Sequence, residues 1–259
     1  MNTFAVRSLA LCAAAVALAS GANAQNLTTR LTQQNWNAVY GGGETAFTPS
    51  DSFTTGALLA SDTNSMAFAD SQSGYVLGDP QRPWSASVSV FATQSFSVTG
   101  PLENFSRIDA AGRALLQASA SGEGLAAIHC VNPGNYLLFE FSVDAPIQAN
   151  LSGIVSLDPN LQNLTADVTL LKFDGFIWGY VFSTIFLPGQ EGVFDQNLDL
   201  GPGQYRLASV AGGGAADIVQ PYVDNSWSYS FSVVPEPATL ATLGVGVAAL
   251  LRRWRRSVD

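Results

Sequence analysis

Three oxygen-bearing side chains, Asp195, Asn197 and Asp199, alternate along one short stretch of the chain. Carboxylate and amide oxygens are the ligands that calcium prefers, so this triplet is a candidate calcium site. A helix–loop–helix calcium site would also need glycine where Leu200 lies and a bidentate glutamate where Arg206 lies. At a period of two, the same three residues would instead form the solvent face of a β-strand. We predict an exposed strand face, with calcium binding as the alternative.

Four aromatic residues, at positions 176, 178, 180 and 182, also alternate. If the segment is one strand, their rings lie on one face, and a flat row of rings is a surface on which sugars stack. Trp178 and Tyr180 are therefore candidate carbohydrate-binding residues. The interpretation that we favour is that this face packs in the protein core, because it carries large side chains and because Ile177 and Val181 would make the opposite face apolar as well.

Histidine chemistry is nearly excluded, because His129 is the only histidine. It adjoins Cys130, but adjacent strand residues point to opposite faces, so the two do not form a catalytic pair. The chain has no Gly-x-Ser-x-Gly elbow, and its glycine runs lack the lysine of a phosphate-binding loop. We predict no catalytic residue and no cofactor apart from the calcium alternative. A hydrolase with paired carboxylates remains a lesser alternative, because acids are numerous.

The charge balance is strongly acidic. The chain has 11 basic and 20 acidic residues. Five of the basic residues and one acidic residue lie in terminal segments that resemble signals, which leaves six and nineteen and a net charge of −13. This charge argues against nucleic-acid binding and fits a secreted protein.

The chain segments that carry these residues have the sequence patterns of β-strands. Ser85–Phe91 and Ser226–Val233 alternate small polar with apolar side chains, and longer β-branched and aromatic runs occupy 136–143, 166–173 and 176–186. Only Ala110–Ala120 is ambiguous between helix and strand. We predict one all-β domain over residues 25–233, a β-sandwich of jelly-roll type with eight or more strands.

A Pro-Gly-x-Tyr motif occurs twice, at residues 133–136 and 202–205. Pro-Gly suits the centre of a type II turn. Each copy is therefore predicted to open a core strand directly after a tight turn, with the tyrosine and the leucine two positions later on one strand face.

The N-terminus has the features of an export signal. Arg7 precedes an apolar segment at 9–19, and Ala22 and Ala24 form the A-x-A pattern at which signal peptidase cleaves. Residues 1–24 are therefore predicted to be a signal peptide, with Gln25 as the mature start.

The C-terminus carries three elements in order. Pro235-Glu236-Pro237 is followed by an apolar segment at 238–251 and then by four arginines around a tryptophan. Fourteen apolar residues form a helix of about 21 Å, which is short against a hydrocarbon core of about 30 Å. The arginines should remain in the cytoplasm, with the rest of the chain outside. They are Arg252, Arg253, Arg255 and Arg256.

This tail, residues 234–259, resembles the PEP-CTERM sorting signal of Gram-negative bacteria. The resemblance implies export, transient anchoring in the inner membrane, processing by an exosortase-type transpeptidase, and release to the cell surface or medium. It also implies a non-enzymatic surface or matrix protein associated with exopolysaccharide or biofilm. A carbohydrate- or calcium-binding module is the alternative function, and a permanent membrane anchor is the alternative fate of the tail.

Overall fold

The computed structural model describes eight stretches of the chain, and it consists almost entirely of β-strands. These stretches are residues 25–41, 50–55, 58–76, 79–122, 127–157, 164–184, 191–213 and 222–234. In these stretches the one helical element is a 3-10 turn at Leu102–Asn104. The predicted signal peptide and sorting tail, and with them Ala22, Ala24, Pro235 to Pro237 and the four arginines, lie outside the described residues. So does the predicted membrane helix at 238–251.

Twelve strands form two antiparallel six-stranded sheets. Sheet A has the spatial order β2 (Ser50–Thr55), β1 (Gln25–Gly41), β6 (Ala127–Val143), β11 (Gly203–Gly213), β8 (Leu164–Phe173) and β9 (Trp178–Ser183). Sheet B has the order β10 (Glu191–Leu200), β7 (Ile147–Ser156), β12 (Tyr222–Val234), β5 (Arg107–Gly122), β4 (Asp79–Thr99) and β3 (Ser61–Val76).

The last eight strands confirm the predicted β-sandwich. Strands β5, β12, β7 and β10 are neighbours in sheet B, and β6, β11, β8 and β9 are neighbours in sheet A. This eight-stranded, two-sheet order is that of a jelly roll. Strands β1 and β2 extend sheet A beyond β6, and strands β4 and β3 extend sheet B beyond β5. The ambiguous segment at 110–120 lies inside β5 and is therefore a strand.

Aromatic rings fill the space between the sheets. Phe141 stacks on Tyr205 with ring centroids 5.5 Å apart, and it meets Phe231 of sheet B at 5.3 Å and Phe105 edge-on at 5.5 Å. All four are almost fully buried. They lie near one end of the sandwich, where β6 ends and β11 begins. Such contacts between the two inner faces fix how the sheets are oriented.

A charged residue is buried inside this core. Arg30 of β1 is fully buried, and its guanidinium lies 4.9 Å from the centroid of the Phe96 ring. Its Nη1 donates to Thr32 Oγ1 at 2.9 Å and to Asp62 Oδ2 at 3.3 Å, which joins β1 to β3 of the opposite sheet. Burial of a charge is tolerated where hydrogen bonds and a counter-charge compensate the lost solvation.

The second Pro-Gly motif opens a core strand, as predicted. Gly203 has φ +147° and is the first residue of β11, which follows the two-residue connection at 201–202. Tyr205 and Leu207 follow on the inner face and are almost fully buried. The hydroxyl of Tyr205 donates to the Gly201 carbonyl at 2.7 Å, which fastens the strand to the turn.

The first Pro-Gly motif does not open a strand, so that prediction is wrong. β6 runs unbroken through it. Asn35 of β1 pairs with Gly134, whereas Asn37 pairs with Val131, so two residues of β6 face one residue of β1. Pro133 lies in this β-bulge, where the ladder hydrogen bond that proline cannot make is not required.

Candidate functional site

The hairpin that joins β8 to β9 displays two apolar side chains at its tip. Asp174 Oδ1 accepts hydrogen bonds from the backbone N–H groups of Phe176 and Ile177, at 2.8 and 2.9 Å. These two bonds lower the pKa of Asp174, with the Ile177 contribution the larger. Gly175 has φ +105°, a conformation that favours glycine. The turn is thus held by local bonds while Phe176 and Ile177 are 93% and 66% exposed.

A β-bulge at Val181 divides the predicted aromatic row. Tyr180 pairs with Leu171, and Phe182 pairs with Leu170, so Val181 has no counterpart in β8. The extra residue reverses the alternation. Phe182 therefore faces inward and packs on Phe194 at 5.3 Å, whereas Tyr180 faces outward.

The prediction that positions 176, 178, 180 and 182 share one strand face is therefore wrong. Phe176 lies in the turn before β9, and only Phe182 contacts the core. Trp178 and Tyr180 remain together on the outer face of sheet A, where Tyr180 is 73% exposed. The favoured interpretation of a core-packed aromatic face is also wrong, because only Phe182 of the four contacts the core, and Ile177 and Val181 are exposed.

Tyr180 belongs to a row of outward side chains that crosses four strands of sheet A. The register pairs Tyr180 with Leu171, Leu171 with Arg206, and Arg206 with Glu140. We call these four residues the Tyr180 row. At a strand spacing of about 4.8 Å the row is about 14 Å long. It presents an exposed phenol at one end and an ion pair at the other.

Arg206 connects the row to Trp178. Its Nε donates to Glu140 Oε1 at 2.5 Å, and its Cζ lies 3.9 Å from the centroid of the Trp178 ring. Phe173 packs beside the same indole, with centroids 5.2 Å apart. The half-buried ion pair and the cation–π contact restrict the side chains of Arg206 and Trp178, so this part of the face is preorganised.

Two titratable groups lie further along the same face. Asp167 of β8 and Tyr136 of β6 both flank Val210 of β11. Burial raises the pKa of Asp167 to about 6 and also raises the pKa of Tyr136.

The candidate calcium residues lie on β10, at the edge of sheet B. Asp195, Asn197 and Asp199 are all exposed, while Leu200 is buried, which confirms the predicted solvent face. The side-chain amide of Asn150 in β7 donates to Asp195 Oδ1 at 2.6 Å and to Asn197 Oδ1 at 3.2 Å. Among the described residues, no three His, Cys, Asp or Glu side chains cluster as metal ligands do. Calcium binding stays a prediction.

A groove of about 430 Å³ crosses the outer face of sheet B, and hydroxyl groups and one ion pair surround it. Arg113 donates to both carboxylate oxygens of Asp224, at 2.7 and 2.6 Å. The hydroxyl of Tyr222 donates to the same carboxylate at 3.2 Å. The groove is lined by Thr63, Thr93, Gln94, Ser95, Ala111, Gly112, Arg113, Ile154, Ser226, Trp227 and Ser228.

The single histidine and its neighbouring cysteine lie in β6. The backbones of His129 and Cys130 pair with Val39 and Ala38 of β1. Their side chains lie outside the described part of the structure, and so the expectation that they point to opposite faces stays a prediction.

Residues 233–256 match the family model described as the PEP-CTERM protein-sorting motif. The chain carries a PEP-CTERM sorting signal. The match begins at the end of β12 and confirms the resemblance seen in the sequence. A PEP-CTERM motif marks an exported protein that exosortase-type machinery sorts through the membrane. In the described residues, no helix is long and apolar enough to cross a membrane.

Other comparisons add little to the PEP-CTERM match. The curated proteins give no match. Among solved structures, the chain is similar to a chain of infectious bursal disease virus, Gt strain, with 14% identity over 82% of this chain and 57% of the other, and a TM-score of 0.24. The Gx strain gives 9% identity, 81% and 58% coverage, and a TM-score of 0.23. This chain thus spans little more than half of those chains, and TM-scores this low support no argument.

Proposed function

We propose that this PEP-CTERM protein is a non-enzymatic surface or matrix protein that binds extracellular polysaccharide through the outer face of sheet A. The observation that carries the proposal is the 73% exposed Tyr180 at one end of the Tyr180 row, with the Arg206–Glu140 ion pair two strands away.

The chemistry of this face fits a carbohydrate chain. A sugar ring has apolar C–H faces that stack on an exposed aromatic ring, and its rim of hydroxyls bonds to charged groups. Glu140 accepts hydrogen bonds and Arg206 donates them, so together they match hydroxyls in either role. The row is longer than a single sugar ring, which favours an extended polysaccharide over a monosaccharide.

Rigidity supports the same interpretation. Arg206 is held by Glu140 and Trp178, and Trp178 is also held by Phe173. Binding then costs less side-chain entropy, because these side chains are already ordered. A row of outward side chains that crosses four strands suits binding along a polymer.

The test is sedimentation of the exported protein with exopolysaccharide purified from the producing cells. Tyr180→Ala is expected to weaken binding about tenfold, since stacking contributes about 1 kcal/mol or more. Val193→Ala is the matched control, because Val193 is 80% exposed but lies on β10 of the other sheet. Equal binding by both variants and the parent protein would refute the role of this face.

A further inference from the structure

We infer that the tip of the β8–β9 hairpin, Phe176 and Ile177, docks on the lipid surface of the membrane while the PEP-CTERM tail still anchors the protein. The inference rests on the anchored tail that the proposed sorting requires. It concerns the end of the sandwich, whereas the polysaccharide is assigned to the outer face of sheet A.

The hairpin tip and the start of the tail lie at the same end of the sandwich. In sheet B, Val234 at the end of β12 pairs with Gln148 at the start of β7, and Ile147 pairs with Leu200 at the end of β10. The chain then crosses to sheet A through residues 201–202 and begins β11.

The strand register in sheet A shows that the hairpin lies at this same end. Gly203 at the start of β11 pairs with Val143 at the end of β6, and Tyr205 pairs with Lys172 near the end of β8. The hairpin turn follows one residue later. Gln25, the predicted mature start, also pairs with Val143.

The length of the connection holds this end near the bilayer. Three residues, Pro235 to Pro237, separate Val234 from Ala238, where the apolar segment begins, and the four Cα–Cα steps span at most about 13–14 Å when fully extended. The sequence predicts a helix of about 21 Å for the fourteen apolar residues at 238–251, which would be shorter than the hydrocarbon core, and a short span draws its flanking residues toward the interface. The sandwich end with its hairpin tip must therefore lie close to the lipid headgroups.

The tip is suited to that environment. Among the described residues, Phe176 and Ile177 are the most exposed apolar pair at this end, and the hydrogen bonds from their backbone N–H groups to Asp174 hold the turn that displays them. Transfer of apolar side chains from water to the membrane interface is favourable, and because this turn is already rigid, little conformational entropy is lost on docking.

Charge at this end selects the kind of lipid. Carboxylates of Glu103, Asp144 and Asp199 are exposed here, beside the cations of Lys172 and Arg107. The Asp174 carboxylate is engaged in the turn. Because acids outnumber bases at this end, docking should be stronger on zwitterionic than on anionic headgroups.

The experiment uses the full chain with its tail, produced in a host that lacks a sorting enzyme and reconstituted in phosphatidylethanolamine–phosphatidylcholine vesicles. A photoreactive benzoylphenylalanine replaces Phe176 in one preparation and Val193 in another. Val193 is similarly exposed and apolar, but it lies seven residues from Leu200 along β10, about 24 Å from this end. After illumination, mass spectrometry identifies the adducts.

We expect a lipid adduct at position 176 several-fold more abundant than at position 193, and a lower yield as phosphatidylglycerol is added. Equal yields at both positions, or cross-links from position 176 to a second copy of the chain, would overturn the docking and leave the sorting unaffected. A chain that fails to float with the vesicles would overturn the anchored tail itself, and the proposed sorting with it.

Discussion

The guanidinium Cζ of Arg206 lies 3.9 Å from the centroid of the Trp178 ring, while its Nε donates to Glu140. One arginine therefore couples the aromatic edge strand β9 to the middle of sheet A, across β8. This contact converts two flexible side chains into a fixed surface, and the polysaccharide proposal depends on that surface.

The coupling between Arg206 and Trp178 can be measured with a double-mutant cycle. We expect Arg206→Ala and Trp178→Ala to show an interaction energy of about 0.5–1 kcal/mol in urea unfolding, because a cation–π contact at a partly exposed site has that strength. Additive effects of the two substitutions would mean that the contact does not hold the face together.

Asp167 should weaken the fold at neutral pH. Its pKa is raised to about 6 by burial, above the value of 3.8 expected in the unfolded chain. The folded state then binds more protons between pH 4 and 6, so stability falls as pH rises through this window. Asp167→Asn is expected to stabilise the protein by up to about 3 kcal/mol at pH 7 and to have little effect at pH 3. The check is urea unfolding at both pH values, where a pH-independent difference would contradict the burial effect.

Asp62 should stabilise the fold by compensating the buried charge of Arg30. A hydrogen bond from Asn64, then the Thr63 amide and the Arg30 charge, lower the pKa of Asp62 although partial burial raises it. Its contribution is present above the unfolded pKa of 3.8 and is lost as pH falls through the lower folded value. Asp62→Asn is expected to cost about 3 kcal/mol at pH 7.

The control for Asp62 is Asp109, which pairs with Arg107 on the surface. Arg107 Nε lies 2.8 Å from Asp109 Oδ2, but their side chains are 52% and 39% exposed. Asp109→Asn should therefore cost less than about 1 kcal/mol. Similar losses for both variants in thermal or urea unfolding would show that burial of Arg30 does not govern the difference.

Gly112 should be intolerant of any side chain. A Cβ at this position would lie 2.4 Å from Trp227 Cζ2 and 2.9 Å from Asn135 Nδ2, inside the sandwich. Gly112→Ala is expected to destabilise the fold by about 1–3 kcal/mol through overpacking. In Gly179→Ala the new Cβ meets only the Lys172 carbonyl at 3.9 Å, so this variant should be neutral or slightly stabilising. Calorimetry measures the melting temperatures of both variants, and equal values would refute the packing argument.

Alternation of small polar and apolar residues predicted the sandwich well, because strands at a packed interface must follow a period of two. The same rule misplaced Phe182, because one bulged residue at Val181 reverses the faces beyond it. It also could not tell that Pro133 sits in a bulge rather than a turn, since that depends on the partner strand β1.

The candidate site was only half predictable. Trp178 and Tyr180 are outward-facing aromatic residues that alternation placed on one face. Their neighbours Arg206 and Glu140 come from strands that are distant in sequence. In the sequence alone, Arg206 stands out only because it occupies the position where a calcium loop needs glutamate. Alternation does predict that Arg206 faces outward, because its neighbour Tyr205 faces inward. That Arg206 lies next to Trp178 depends on the order of the strands in sheet A, which alternation does not predict.

The central claim, export followed by removal of the sorting tail, is tested most directly by the intact mass and terminal peptides of the protein recovered from the native cell surface and medium. We predict a chain that begins at Gln25 and ends between Pro235 and Pro237, with or without added mass at the new C-terminus. A chain that retains Arg252 to Arg256 at the cell surface would contradict the claim and indicate a permanent anchor.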